Sequence, residues 1–318
     1  DAYGNVYARR EGDPQGPSLM LAAHMDEVGM VVSRIERNGF LRFKKVGFPI
    51  DGLMSARRVR VGNIPGIIGS KDFHTMSREE QRKVQSHRRL FIDIGARSAG
   101  EAKEMGIQIG TPVTFLAEYT VLGKEETLVS TKALDDRVGC VLILQLFKEM
   151  AGQQLPGTIH GVFTVQEEVG MRGAQMAGYR VSPDAALVLE AGLTEDTPFY
   201  SAPTDDSPVL GKGPILFLQE FTEGSMRGMI GHPGMMNYVN DCALKVDIQL
   251  QRAIMTPYGL TDATPIHLTR QGIPTCCVGV PIRYAHSSVE IMDLNDLGVT
   301  LKLLISVSSN LKGLQTNG

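Results

Sequence analysis

Residues 17–33 read PSLMLAAHMDEVGMVVS, two apolar segments separated by His24-Met25-Asp26. Each apolar segment has the length and composition of a buried β-strand. Alternate side chains of a strand share one face, so His24 and Asp26 point in the same direction. This arrangement suits a metal-bound imidazole, and equally a His–Asp hydrogen bond inside a core. The stretch alone leaves both interpretations open.

The pattern of apolar segments changes at residue 127. Before it, short apolar segments punctuated by Gly and Pro indicate a small β-rich module, at residues 39–46, 57–61, 66–68, 90–94 and 112–116. After it, a mostly apolar helix at 136–150 opens a series in which strands and helices alternate. The series comprises strands at 158–165, 185–189, 214–218, 253–255 and 274–280 and helices at 172–177, 240–251, 262–270 and 294–310.

This alternation predicts an α/β sheet with helices on both faces. We therefore expect an α/β catalytic domain made of residues 1–42 and 127–318, interrupted by an inserted β-rich domain of residues 43–126. The chain opens in strand-like sequence at Asp1, so we also expect an amino-terminal part of the first domain upstream of it.

The composition argues against several functions. The 318 residues carry 32 Lys and Arg against 35 Asp and Glu, a net charge of -3, which gives no support for binding to nucleic acid or to an anionic membrane. No apolar run approaches the ~18 residues that a membrane-spanning helix needs. The four cysteines form no CxxC pair, so we expect buried, reduced thiols in a cytoplasmic protein.

Further polar residues interrupt apolar segments near the ends of predicted strands or the starts of helices: Asp135-Asp136, Glu167-Glu168, Glu190 and His286. Individually they have ordinary explanations, such as an N-cap for the aspartates and a solvated strand end for the paired glutamates. As a set they place two histidines and several carboxylates where open α/β sheets bind ligands. Such ligands suit Zn²⁺, Co²⁺ or Mn²⁺, and two ions about 3.5–4 Å apart would favour a bridging carboxylate.

Five ordered motifs also carry a family resemblance: AAHMDEVG (22–29), STKALDDRVGC (130–140), TVQEEVGMRGA (164–174), LVLEAG (187–192) and PIRYAHSSVEIMDLNDL (281–297). Together with residues 91–115 of the insertion, they resemble the dinuclear-metal tetrahedral aminopeptidases, or glutamyl aminopeptidase family, some of whose members carry the name endoglucanase. The resemblance implies a metallopeptidase-type mixed sheet flanked by helices, with an inserted barrel-like domain that drives oligomerisation. It also implies a homododecamer that acts on short peptides.

The resemblance implies two divalent ions per subunit, zinc or cobalt, with manganese as a further candidate. His24, Glu190 and Asp135 would hold one ion. His286, Glu168 and the bridging Asp135 would hold the other.

The same resemblance assigns two residues to catalysis. Asp26 would orient His24, and Glu167 would act as general base. The implied reaction removes amino-terminal residues from short peptides by metal-activated water.

Two positions depart from the family pattern. Glu190 stands where these aminopeptidases often have Asp, although Glu also occurs, and Leu260 replaces a usual Gly beside the expected site. Two alternatives stay open: another metal-dependent hydrolase, such as a deacylase or glycosidase, and a non-catalytic metal-binding assembly protein, which the departure at Leu260 favours. The preferred amino-terminal side chain and the metal used in the cell are not encoded in any motif.

Overall fold

The structure is a computed structural model that describes residues 1–200, 207–256 and 259–314. Within these residues the strands are β1 (Val6–Arg10), β2 (Ser18–His24), β3 (Gly29–Ile35), β4 (Leu41–Val46), β5 (Arg58–Val61), β6 (Ile64–Gly69), β7 (Phe91–Asp93), β8 (Pro112–Phe115), β9 (Thr120–Leu122), β10 (Leu128–Thr131), β11 (Thr158–Thr164), β12 (Ala185–Leu193), β13 (Ile215–Thr222), β14 (Arg227–Ile230), β15 (Gln251–Met255), β16 (Thr275–Arg283) and β17 (Glu290–Asp293). The helices are α1 (Arg78–Gln81), α2 (Ala99–Glu104), α3 (Leu134–Glu149), α4 (Arg172–Val181), α5 (Pro233–Leu244), α6 (Ala263–Ile266) and α7 (Leu294–Ser309).

The main sheet is mixed, with the strand order β1-β11-β2-β12-β16-β17-β10-β9. β13 pairs with β16 and carries β14 and β15. β11, β2, β12 and β16 run parallel to one another, so their carboxyl-terminal ends meet at one edge. This sheet, its helices and the inserted barrel confirm the predicted α/β class.

Helices cover both faces of the sheet, which explains why β2 is apolar along nearly its whole length. Leu19 and Leu21 face a core shared with α3, α5 and α7. Met20 and Ala22 face the opposite core, shared with α4 and α6. Alternate residues of one strand therefore join two separate cores.

The inserted domain is a closed barrel with the strand order β3-β4-β7-β6-β5-β8 and its own apolar core. It begins at Gly29, upstream of the predicted boundary at residue 43, because Met30 and Val32 of β3 point into the barrel core. The main sheet resumes at β9, upstream of the predicted boundary at residue 127. β2 and β3 are similarly apolar, so hydrophobicity alone did not separate the two domains.

Several predicted elements differ in extent from the observed ones. The helix expected at 240–251 is α5, which starts at Pro233, a favoured first helical residue, and ends at Leu244. The strand expected at 185–189 continues to Leu193 and therefore includes Glu190. Among the described helices, none combines the length and apolar character that crossing a bilayer requires.

Candidate metal and active site

The sheet register brings the first site residues to one edge. β2 ends at His24, level with the end of parallel β11, and Glu167 follows in the turn beyond β11. β12 is parallel to β2 on its other side, and its register places Glu190 level with His24. Open α/β sheets bind ligands at this carboxyl-terminal edge, so the strands themselves build the site.

Two further ligand candidates come from segments flanking β17. Asp135 lies at the start of α3 in non-helical geometry, with φ -79° and ψ 106°. His286 follows the end of β16 and has a left-handed backbone, with φ 60°. β17 pairs with both β10 and β16, the strands that lead into these two segments.

The predicted ligands form two groups that share Asp135: His24, Asp135 and Glu190, and Asp135, Glu168 and His286. Within each group the ligand atoms all lie within 4.8 Å of one another. Asp135 Oδ1 is 3.1 Å from His24 Nε2, and Asp135 Oδ2 is 3.4 Å from His286 Nε2. Glu190 Oε1 lies 3.6 Å from His24 Nε2, and Glu168 Oε2 lies 3.6 Å from His286 Nε2.

Burial makes this cluster of carboxylates unfavourable without a cation. It raises the pKa of Glu190 to about 8 and, with the charge of Asp135, the pKa of Glu168 to about 7. Burial also raises the pKa of Glu167 well above its ordinary value. Since buried carboxylates need a compensating positive charge, this donor set fits divalent cations.

The neighbouring carboxylates favour the charged form of both imidazoles when no metal is bound. Burial disfavours a charged His286, but its hydrogen bond with Asp135 and the charge of Glu168 raise its pKa to about 9. Burial likewise opposes the charged form of His24, and hydrogen bonds with Asp135 and Glu190 outweigh it and raise the pKa. A bound cation requires neutral imidazoles, so it would replace these protons.

Asp26 contacts the cluster in two ways. Its backbone carbonyl oxygen lies 3.2 Å from His24 Nδ1, and an Nδ1–H donated to it leaves Nε2 free toward Asp135. Its carboxylate accepts hydrogen bonds from the backbone N–H groups of Glu167 at 3.1 Å and Glu168 at 3.2 Å. The carboxylate oxygen is farther from His24 Nδ1, at 3.8 Å. Asp26 therefore holds the Glu167-Glu168 turn as well as the imidazole.

Two buried carboxylates that the sequence did not assign to the site also accept hydrogen bonds from backbone N–H groups of the site segments. Asp136 accepts hydrogen bonds from the backbone N–H groups of His24 at 3.2 Å and Gly139 at 3.1 Å. Glu290 accepts them from the backbone N–H groups of Asp135 at 3.2 Å and His286 at 2.9 Å. An N-cap was the ordinary explanation for the aspartates, but the N-cap residue of α3 is Ala133, and Asp136 binds Gly139 within the helix. Glu290 stood within the last motif without any distinguishing signal.

The segment around Leu260, which departs from the family pattern, is packed closely against its neighbours. A Cβ at Gly259 would lie 2.5 Å from the Cβ of Met255, so the glycine is sterically required, whereas Leu260 itself is half-buried. Thr261 donates a hydrogen bond of 2.6 Å to the buried carboxylate of Glu220.

Comparison with known proteins places this geometry in a family. The family model of the M42 glutamyl aminopeptidases matches residues 4–303. The lysyl aminopeptidase of Pyrococcus furiosus is 31% identical over 322 residues, covering 98% of this chain and 86% of that protein. The structure of an aminopeptidase from the archaeon Desulfurococcus kamchatkensis superposes with a TM-score of 0.90 at 34% identity, covering 99% of this chain and 86% of that one.

A third relative is an oligomer. The TET1 peptidase of Pyrococcus horikoshii, described as able to assemble into a tetrahedron or a large octahedral shell, superposes with a TM-score of 0.82. It is 30% identical, and the match covers 98% of this chain and 88% of that chain. The nearly complete family match, the likeness in sequence and the shared fold show that this chain belongs to the M42 glutamyl aminopeptidase family.

Proposed function

We propose that this protein is a dinuclear metal-dependent aminopeptidase that removes amino-terminal residues from short peptides. The observation that carries the proposal is the placement of Asp135, which presents one carboxylate oxygen to His24 and the other to His286. A carboxylate shared in this way suits two ions at the ~3.5–4 Å separation of two-metal hydrolases.

In this proposal His24, Glu190 and Asp135 hold one ion, and His286, Glu168 and Asp135 hold the other. Zinc and cobalt fit a mixture of imidazole and carboxylate ligands, and manganese is the next candidate. Bound ions of this kind supply an activated water and polarise the carbonyl oxygen of the substrate.

Glu167 is the proposed general base. It belongs to neither group of metal ligands, and its Oε2 lies 4.0 Å from His24 Nε2. Its raised pKa, caused by burial, suits a group that takes a proton from the attacking water and then passes it to the leaving amine. Asp26 is proposed as the positioning residue that orients His24 through its carbonyl and holds the turn of Glu167 through its carboxylate.

We further propose a cytoplasmic homododecamer in which the barrel contributes to assembly. The oligomeric family relative supports the assembly. The four cysteines, all buried and free, support a reducing compartment.

A panel of aminoacyl chromogenic substrates, assayed with Zn²⁺, Co²⁺ and Mn²⁺ in turn, tests the activity. We expect release of amino acids that a chelator abolishes and added metal restores. Cleavage of β-glucans or acylated amines in place of these substrates would favour the glycosidase or deacylase alternative. A folded, metal-loaded oligomer that hydrolyses none of them would favour a non-catalytic assembly protein.

A further inference from the structure

One buried carboxylate connects two metal-ligand segments that are far apart in sequence. Glu290 is 2% exposed. Its Oε1 accepts the backbone N–H of His286 at 2.9 Å, and its Oε2 accepts the backbone N–H of Asp135 at 3.2 Å. The two oxygens of one side chain therefore link the start of α3 to the loop after β16.

Both of the linked segments have backbone geometry that regular structure does not stabilise. His286 has a φ of 60°, a left-handed conformation that costs energy for a residue with a Cβ. Asp135 has a non-helical ψ of 106° and lies in the first turn of α3, where a backbone N–H has no acceptor within the helix. The buried carboxylate of Glu290 therefore supplies the acceptor that these two backbone N–H groups do not find within a helix or strand.

Glu290 is itself held on a rigid support. It is the first residue of β17, where it pairs with Thr131 of β10. The other neighbour of β17 is β16. β10 and β16 lead into the segments of Asp135 and His286, so Glu290 lies between the two ligands that it contacts.

We propose that Glu290 is a positioning residue that sets the separation of Asp135 and His286 and so controls the affinity for the ion held by Asp135, Glu168 and His286. The proposal rests on the dinuclear centre described above. The ion held by His24, Asp135 and Glu190 depends less on Glu290, because His24 and Glu190 are anchored on β2 and β12. Glu290 therefore acts selectively on one of the two metal positions.

The variant Glu290→Gln tests this selectivity. Glutamine keeps one acceptor oxygen but presents an NH₂ group to the second backbone N–H, so one of the two links is lost. Zn²⁺ binding to the full chain is titrated against a chromophoric chelator. We expect one of the two binding constants to fall about 10–100-fold, the range for residues that orient metal ligands, with the other constant nearly unchanged.

Double variants identify the position that is affected. Glu168→Gln already removes a ligand of the proposed position, so adding Glu290→Gln should weaken binding there by less than the sum of the two effects. Glu190→Gln removes a ligand of the other position, and its effect should add to that of Glu290→Gln.

Asp296→Asn is the matched control. Asp296 is also buried, and its carboxylate accepts the backbone N–H groups of Gly211 and Gly213, each at 2.7 Å. Neither partner belongs to the metal cluster, so this variant is expected to lower stability without changing either binding constant. If Asp296→Asn lost as much metal affinity as Glu290→Gln, the effect of Glu290 would be explained by general stability and not by positioning of the ligands.

The outcomes separate this inference from the proposed function. Two ions bound with wild-type affinity by Glu290→Gln, or equal weakening of both, would overturn the role of Glu290 alone. Fewer than two ions bound by the wild-type protein would overturn the dinuclear centre and the inference together. If Glu290→Gln does not fold, Glu290→Asp keeps the charge but shortens the reach. Wild-type affinities in Glu290→Asp would then contradict the proposal.

Discussion

Replacing Glu167 and Glu168 one at a time distinguishes proton transfer from metal binding at neighbouring residues. Glu167 is 12% exposed and lies outside both ligand groups, so Glu167→Gln retains the shape of the side chain and the metal ligands. Losing a general base lowers turnover by roughly 10²–10⁴-fold. At 1.36 kcal/mol for each factor of ten, this loss corresponds to roughly 3–5 kcal/mol of activation free energy.

Glu168→Gln is expected to act through metal affinity instead. The side chain is 5% exposed, and its Oε2 lies 3.6 Å from His286 Nε2 within the second ligand group. Removing its charge removes a ligand, so metal binding should weaken by at least about 10–100-fold, the range for residues that only orient ligands. Excess metal should therefore restore part of the activity in Glu168→Gln and none in Glu167→Gln.

The assay measures kcat with an aminoacyl chromogenic substrate and the metal content by mass spectrometry after gel filtration. Glu149→Gln, at an exposed residue near the end of α3, controls for metal lost during purification. Equal metal loss in Glu167→Gln and Glu168→Gln, or full activity in Glu167→Gln, would refute the assignment of the two roles.

Three further predictions concern pH, packing and assembly. Burial raises the pKa of Glu220 to about 7 from 4.5, so the metal-free protein should lose up to roughly 3 kcal/mol of stability as the pH rises between these values. Urea unfolding should show a flatter pH profile in Glu220→Gln, and an unchanged profile would contradict the shift. Leu21→Ala should cost about 2–5 kcal/mol in the same assay, because Leu21 is fully buried; a cost below 1 kcal/mol would contradict its core role. Native mass spectrometry should detect twelve subunits, and a variant with a short linker in place of the barrel should form a smaller species. An unchanged subunit count in that variant would contradict the role of the barrel in assembly.

The positions of several site residues could be predicted because the ends of buried strands can be recognised in the sequence. An apolar run that stops at a polar residue marks the edge of a parallel sheet, and His24 and Glu167 obey this rule. Glu190 is different because it lies inside β12, and only the register against β2 brings it level with His24. Register depends on pairing between distant segments, which a local pattern does not contain.

The remaining site geometry depends on contacts that have no local signature. Asp26 was expected to orient His24, yet the closer contact is made by its backbone carbonyl, while its carboxylate binds the turn of Glu167. His286 adopts a left-handed conformation that non-glycine residues seldom take, so its type does not predict its backbone. The start of the barrel was predicted at residue 43 instead of Gly29 because β2 and β3 are similarly apolar although they belong to different domains.

The three carboxylates of Asp26, Asp136 and Glu290 bind backbone N–H groups in the same way at this edge of the sheet. Each accepts two backbone N–H groups, and each pair includes at least one N–H group of a proposed ligand or of the general base. Burial raises the pKa of Asp136 well above its ordinary value and that of Glu290 to about 8, so holding these charges costs folding free energy. The same negative charges increase the attraction for cations. Metal binding thus offsets part of the free-energy cost of burying these charges, which links the affinity of the centre to the stability of the fold around it.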